Sequence, residues 1–118
     1  MRLAAVLLVL ALLAGCAAPA PSAPARSMPV AVSADRAVHE ALALLMEQGY
    51  VITTADGSLG RIDASLARWP IYRVEVRVTD TPSGASISLQ GYRGGQTLSP
   101  NVVEPLFIEL QHRLGRAL

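Results

Sequence analysis

Residues 72–92, YRVEVRVTDTPSGASISLQGY, decide the fold. Tyr72, Val74, Val76 and Val78 alternate with Arg73, Glu75, Arg77 and Thr79. A period of two sends the first set to one side of a strand and the second set to the other, so one face is buried and one is wet. Thr81, Pro82, Ser83 and Gly84 then turn the chain. Ala85, Ile87 and Leu89 next alternate with Ser86, Ser88, Gln90 and Tyr92. Two such runs joined by so short a turn predict an antiparallel hairpin.

Working outward, two more strand-like runs lie upstream. Residues 50–54 are rich in β-branched side chains. Asp56-Gly57 marks a turn. Residues 61–66 place Ile62, Ala64 and Leu66 on one face, and Trp69 with Pro70 breaks the run. Before these, Val38, Ala41, Leu42 and Leu45 recur at helical spacing, with Ala34 and Met46 beside them. Ser33 suits the N-cap, Asp35 the first turn and Gly49 the left-handed stop. Downstream, residues 93–99 read as a loop containing Gly94-Gly95. Val103, Leu106, Phe107, Leu110 and Leu114 then form the stripe of a closing helix, entered through an early turn at Pro100.

The order is therefore α-β-β-β-β-α. It predicts an α+β two-layer sandwich: an antiparallel four-stranded meander with both helices on one face. Val74, Val76, Val78, Ile87, Leu89 and Ile62 are expected to meet Val38, Leu42, Leu45, Phe107, Leu110 and Leu114 in one core. The domain is expected to span 33–118. Residues 17–32, AAPAPSAPARSMPVAV, are rich in proline and alanine and read as a semi-extended tether of roughly 50 Å.

Side chains with chemical potential are few. His39 and His112 each read most simply as a surface histidine, since neither has a positioned partner in the sequence. Asp56 reads as a turn residue. Asp63 and Glu75 fall on outward strand positions among arginines, which reads as cross-strand charge pairing rather than an acid–base pair. No zinc-ligand spacing, nucleophile elbow or phosphate loop occurs, so neither a metal nor a cofactor nor an enzymatic activity is expected. The open sheet face is the best candidate binding surface, carrying Arg61, Arg73, Glu75, Arg77, Ser88, Gln90 and Tyr92. The simpler alternative is a solvated face. Trp69 and Tyr72, at the connection between the second and third runs, are a second candidate as exposed aromatic anchors, the equal alternative being a buried Trp69 that plugs the end of the sheet.

The amino terminus, residues 1–16, reads MRLAAVLLVLALLAGC. Arg2 precedes an apolar run over 3–13, too short to span a bilayer that needs roughly 20 residues and suited to a signal h-region. Leu13-Ala14-Gly15-Cys16 resembles the lipobox of bacterial lipoproteins. That resemblance implies cleavage after Gly15, removal of 1–15, and acyl chains on Cys16, the single cysteine of the chain. Such an anchor is effectively permanent. Ala17 after the cysteine implies outer-membrane sorting, with the domain facing the periplasm. The layout is also similar to helix-on-sheet envelope lipoproteins of the BamC and LptE types. The expected function is that of a non-catalytic accessory or structural component that binds another envelope protein. The alternative is a small-ligand or glycan-binding module. The basic side chains are ten arginines and no lysine, and removing Arg2 leaves nine arginines against nine acids. That balance argues against nucleic acid as a partner and against general affinity for anionic lipid.

Overall fold

The computed structural model describes residues 2–13, 25–67 and 72–116. Helix α1 spans Arg2–Leu13. Strand β1 (Arg26–Val30), helix α2 (Ala34–Glu47), strands β2 (Val51–Asp56), β3 (Arg61–Leu66), β4 (Tyr72–Thr81), β5 (Gly84–Arg93) and β6 (Gln96–Thr97), and helix α3 (Glu104–Arg116) follow. A 3-10 turn at Pro100–Val102 leads into α3. No helix among the described residues is long and apolar enough to cross a membrane.

The hairpin at 72–92 forms with the expected inward and outward sets. Val76 faces Leu89, Val78 faces Ile87, and Thr81 faces Gly84. Val74, Val76, Val78, Ala85, Ile87 and Leu89 are buried, while Arg73, Arg77 and Thr79 are exposed. The sheet order is β1-β5-β4-β3-β2, and every pairing along it is antiparallel. The buried residues of α2 and α3 join those of one sheet face in a single core. Phe107, Leu45 and Leu110 are each about 1 % exposed, against Ile62, Ile87 and Val74 at 0 %. Burial of a side chain of this size contributes roughly 1.5–3 kcal/mol. Arg113 of α3 ties the two helices together through Glu40 and Glu47 of α2.

The α+β class holds, but the sheet is larger than a four-stranded meander. Arg26–Val30 lies inside the stretch expected to be tether, and it pairs with β5 from Arg26↔Leu89 to Val30↔Ala85. The fold therefore begins before residue 33. Met28 and Val32 enter the core at 6 % and 8 % exposure, which is the driving force. Pro29 is tolerated because β1 is an edge strand, where a missing N–H costs no ladder bond. Gly84 makes room for β1. Its φ is 146°, and a Cβ there would stand 2.2 Å from the carbonyl oxygen of Val30. A second addition is β6, which turns back on the end of β5 with Tyr92↔Thr97 and Arg93↔Gln96, where a loop was expected.

Helix α2 starts and stops where its sequence dictates. The Ser33 hydroxyl accepts from the Arg36 N–H at 3.3 Å. At the other end, the Gly49 N–H donates to Met46 O and the Tyr50 N–H to Leu45 O, a Schellman closure with Gly49 at φ 88°. The buried stripe is rotated from expectation. Ala37, Val38, Ala41, Leu44 and Leu45 face the core, Leu42 is half-buried, and Met46 is 59 % exposed. Ala37 and Ala41 explain the rotation, since small side chains let the helix backbone approach the sheet. In α3, Pro105 sits in the first turn, where an N–H has no intrahelical acceptor.

Candidate functional site

Strands β3, β4 and β5 set nine outward residues in three rows of three. Arg61, Arg77 and Ser88 form one row; Asp63, Glu75 and Gln90 the next; Ser65, Arg73 and Tyr92 the third. This brings together all the described members of the face expected from the sequence. Trp69 and Cys16 lie outside the described residues.

The middle of this face is electrostatically saturated. Arg61 Nε stands 3.0 Å from Asp63 Oδ2, and its terminal nitrogen 3.6 Å from Glu75 Oε2. Arg77 Nε donates to Glu75 Oε1. That bond and the Glu75 charge raise the Arg77 guanidinium above its ordinary range. Although outward, the Asp63 and Glu75 side chains are only 14 % and 13 % exposed, because the arginines lie across them. Glu75 is thus approached by two guanidinium groups and Asp63 by one. The charge-pairing reading of these residues describes the geometry.

The margins of the face differ. Gln90 Nε2 donates to Leu98 O at 3.1 Å and Gly91 O at 3.3 Å, so it fastens the segment after β6. The Arg73 guanidinium lies 4.7 Å from the centre of the Tyr92 ring. Asp56, at the end of β2, accepts from Ser58 N, Ser58 Oγ and Leu59 N at 3.0, 2.7 and 3.1 Å. The Ser58 hydroxyl, then the Leu59 N–H, hold its carboxyl below the usual range. It is a turn-forming residue, as its Asp-Gly context implies. His39 and His112 are exposed on the helices, away from the open face. Among the described residues, no group of three His, Cys, Asp or Glu side chains converges on a point.

Tyr72 is not an exposed anchor. It shares the parity of Val74, packs over Gly91, and sits beside Tyr50 with ring centres 6.2 Å apart. Burial, then Tyr50, pushes its phenol up to about 12. A cleft of about 190 Å³ opens beside the two rings, walled by Gln48, Val102, Pro105, Leu106 and Glu109. Sequence reasoning missed this cleft. Tyr50 directly after the Gly49 stop, with Tyr72 on the inward parity of β4, was the available signal. Its volume falls short of the roughly 300–1,000 Å³ typical of small-molecule sites.

No protein-family model matches the chain, and no curated protein matches it.

Proposed function

We propose that this chain is a lipid-anchored component of a bacterial envelope, acylated at Cys16 and processed after Gly15. Its work is non-catalytic: it binds another envelope protein through the open sheet face. The single observation that carries the reading is the stretch 2–16, in which one basic residue, an apolar run and Leu13-Ala14-Gly15-Cys16 follow in the order a lipoprotein signal requires. Two features of the domain support the non-catalytic part. The carboxylates of the face are engaged by arginines, and both histidines stand alone on helix surfaces. Ala17 supports the outer membrane as the destination, with the domain on the periplasmic side. A ligand-binding module is the weaker reading because the cleft beside Tyr72 is only about 190 Å³, and the larger one, about 370 Å³ beside the 57–60 turn, is lined mainly by small and polar residues, among them Ser33, Asp35, Ser58 and Asp80, rather than by an apolar wall.

The test is metabolic labelling with palmitate, intact mass and membrane fractionation of the full chain expressed in a Gram-negative host. The expected result is a mass equal to residues 16–118 plus acyl chains, label in the outer-membrane fraction, and loss of both in Cys16→Ser. Label that survives in Cys16→Ser overturns the reading. So does a wild-type chain that carries no lipid.

A further inference from the structure

The saturation of the open face is one-sided in depth. Its charged side chains are even in number, Arg61, Arg73 and Arg77 against Asp56, Asp63 and Glu75. What they present to solvent is not even. The side chains of Asp63 and Glu75 are 14 % and 13 % exposed, whereas those of Arg61 and Arg77 are 42 % and 62 % exposed. Asp56, at the β2 margin, has its Oδ1 taken by Ser58 and Leu59 and makes no ion pair among the described residues. The acceptors are therefore screened or engaged, and the guanidinium groups lie outermost.

These guanidinium groups carry more donors than the face uses. Each has five N–H groups in a fixed fork. Arg77 is held by Glu75 through Nε, and no hydrogen bond among the described residues engages its terminal nitrogens. That leaves the end-on pair of N–H donors, the edge that grips a carboxylate bidentately. Arg73 is exposed and makes no hydrogen bond or ion pair among the described residues. Its stacking on Tyr92 at 4.7 Å orients the plane and consumes no donor. Arg73 and Arg77 lie four residues apart on one side of β4, about 13 Å, and acidic side chains at alternate positions of an extended segment repeat every 7 Å or so, about half that spacing. The row that holds Arg73 also carries Ser65, Tyr92 and Val51, the last 60 % exposed. Arginine and tyrosine are the side chains on which protein interfaces concentrate their binding energy. A bilayer is the other anionic surface, but nine arginines against nine acids after Arg2 give the domain no general pull toward it.

We propose that the open face takes an acidic, extended segment of another protein, with carboxylates of that segment seated on Arg73 and Arg77. The proposal rests on the reading of this face as a protein-binding surface and names the chemistry of the partner; it does not depend on acylation at Cys16. Asp63 and Glu75 act as positioning groups, since they hold Arg61 and Arg77 from below. A basic segment meets the same face with its cations against guanidinium groups and reaches no free carboxylate on β3 or β4.

The experiment uses the full chain in neutral-detergent micelles and three fluorescent peptides of about twelve residues, in which threonine alternates with glutamate, glutamine or lysine. Binding is read by anisotropy at low salt. The glutamate peptide is expected to bind more than tenfold tighter than the other two and to weaken in 0.5 M salt. Arg73→Gln and Arg77→Gln should each weaken it roughly fivefold, while Arg36→Gln on α2 leaves it unchanged; thermal melts of the three variants confirm that each is folded. Equal affinity for the three peptides, or preference for the lysine peptide, overturns the acidic partner and leaves the face as a binding surface. Binding that both arginine variants retain overturns the placement. Displacement of the glutamate peptide by an equal concentration of phosphatidylglycerol in the micelles makes a lipid headgroup the occupant and overturns the proposal. Binding of none of the peptides removes the open-face reading together with it.

Discussion

Asp63 on β3 and Glu75 on β4 stand directly opposite each other, and Arg61 reaches both carboxylates. Like charges facing across a ladder destabilise a sheet unless a cation lies between them. Arg61→Ala is expected to cost about 1 kcal/mol. Glu75→Gln in that background should recover most of the loss. Urea midpoints of the four members of the cycle check this; a Glu75→Gln change that adds to the loss contradicts it.

The two faces of β4 differ in energetic weight. Val76→Ala removes a side chain that is 1 % exposed and should cost on the order of 1–3 kcal/mol through lost burial and residual cavity. Arg77→Ala, on the wet face, should shift the unfolding midpoint far less. Equal shifts would mean that the register of β4 is not the one described.

Gly84→Ala meets the carbonyl of Val30 and a backbone angle that L side chains avoid. The expected cost is about 2–4 kcal/mol. Amide exchange at Met28 should accelerate most, since β1 is displaced before the hairpin opens. Uniform acceleration across β1, β4 and β5 would contradict that order.

Tyr72 gives a pH signature. Its phenol is pushed up to about 12, so the folded state keeps a proton that the unfolded chain releases near pH 10. Stability from this group is complete below pH 10 and is lost as pH rises from about 10 to 12. Tyr72→Phe should flatten that part of the stability profile. Absorbance titration of the wild type should show a last tyrosine ionising above the others.

A chain that starts at Ala25 should be more stable than one that starts at Ser33. The shorter chain loses Met28 and Val32 from the core and exposes the edge of β5. Loss of one buried Met-sized side chain is worth roughly 2–5 kcal/mol. Equal melting temperatures would show that β1 adds nothing to the fold.

The meander and the two helices were legible because their periods are long and clean: eight alternating residues in β4, a stripe and a glycine stop in α2. Strand β1 was not. Its alternation of Met28, Val30 and Val32 is only three residues long and is interrupted by Pro29, inside a proline-rich stretch whose composition points to a tether. An edge strand is where proline and weak alternation are tolerated, so this element carries the faintest signal in the sheet. The open face was legible residue by residue because strand parity fixes direction. Its saturation was not, since that depends on the register that sets Asp63 against Glu75. Gln90 and Tyr72 show the same limit. Parity placed Gln90 outward, but its bond to Leu98 O depends on how the chain returns after β6. Likewise Tyr72 lost its exposure to Tyr50, a neighbour 22 positions away in the sequence.

The antiparallel seating of β1 on β5 also determines how the domain answers a mechanical load. A pull on the chain preceding Arg26, directed along the axis of β1, loads all five of its pairings with β5 at once, in shear. A pull across the sheet would peel them one after another from Arg26. Tension along the strand is therefore shared before any pairing breaks, and the same strand that completes the core bears whatever load arrives through the chain ahead of it.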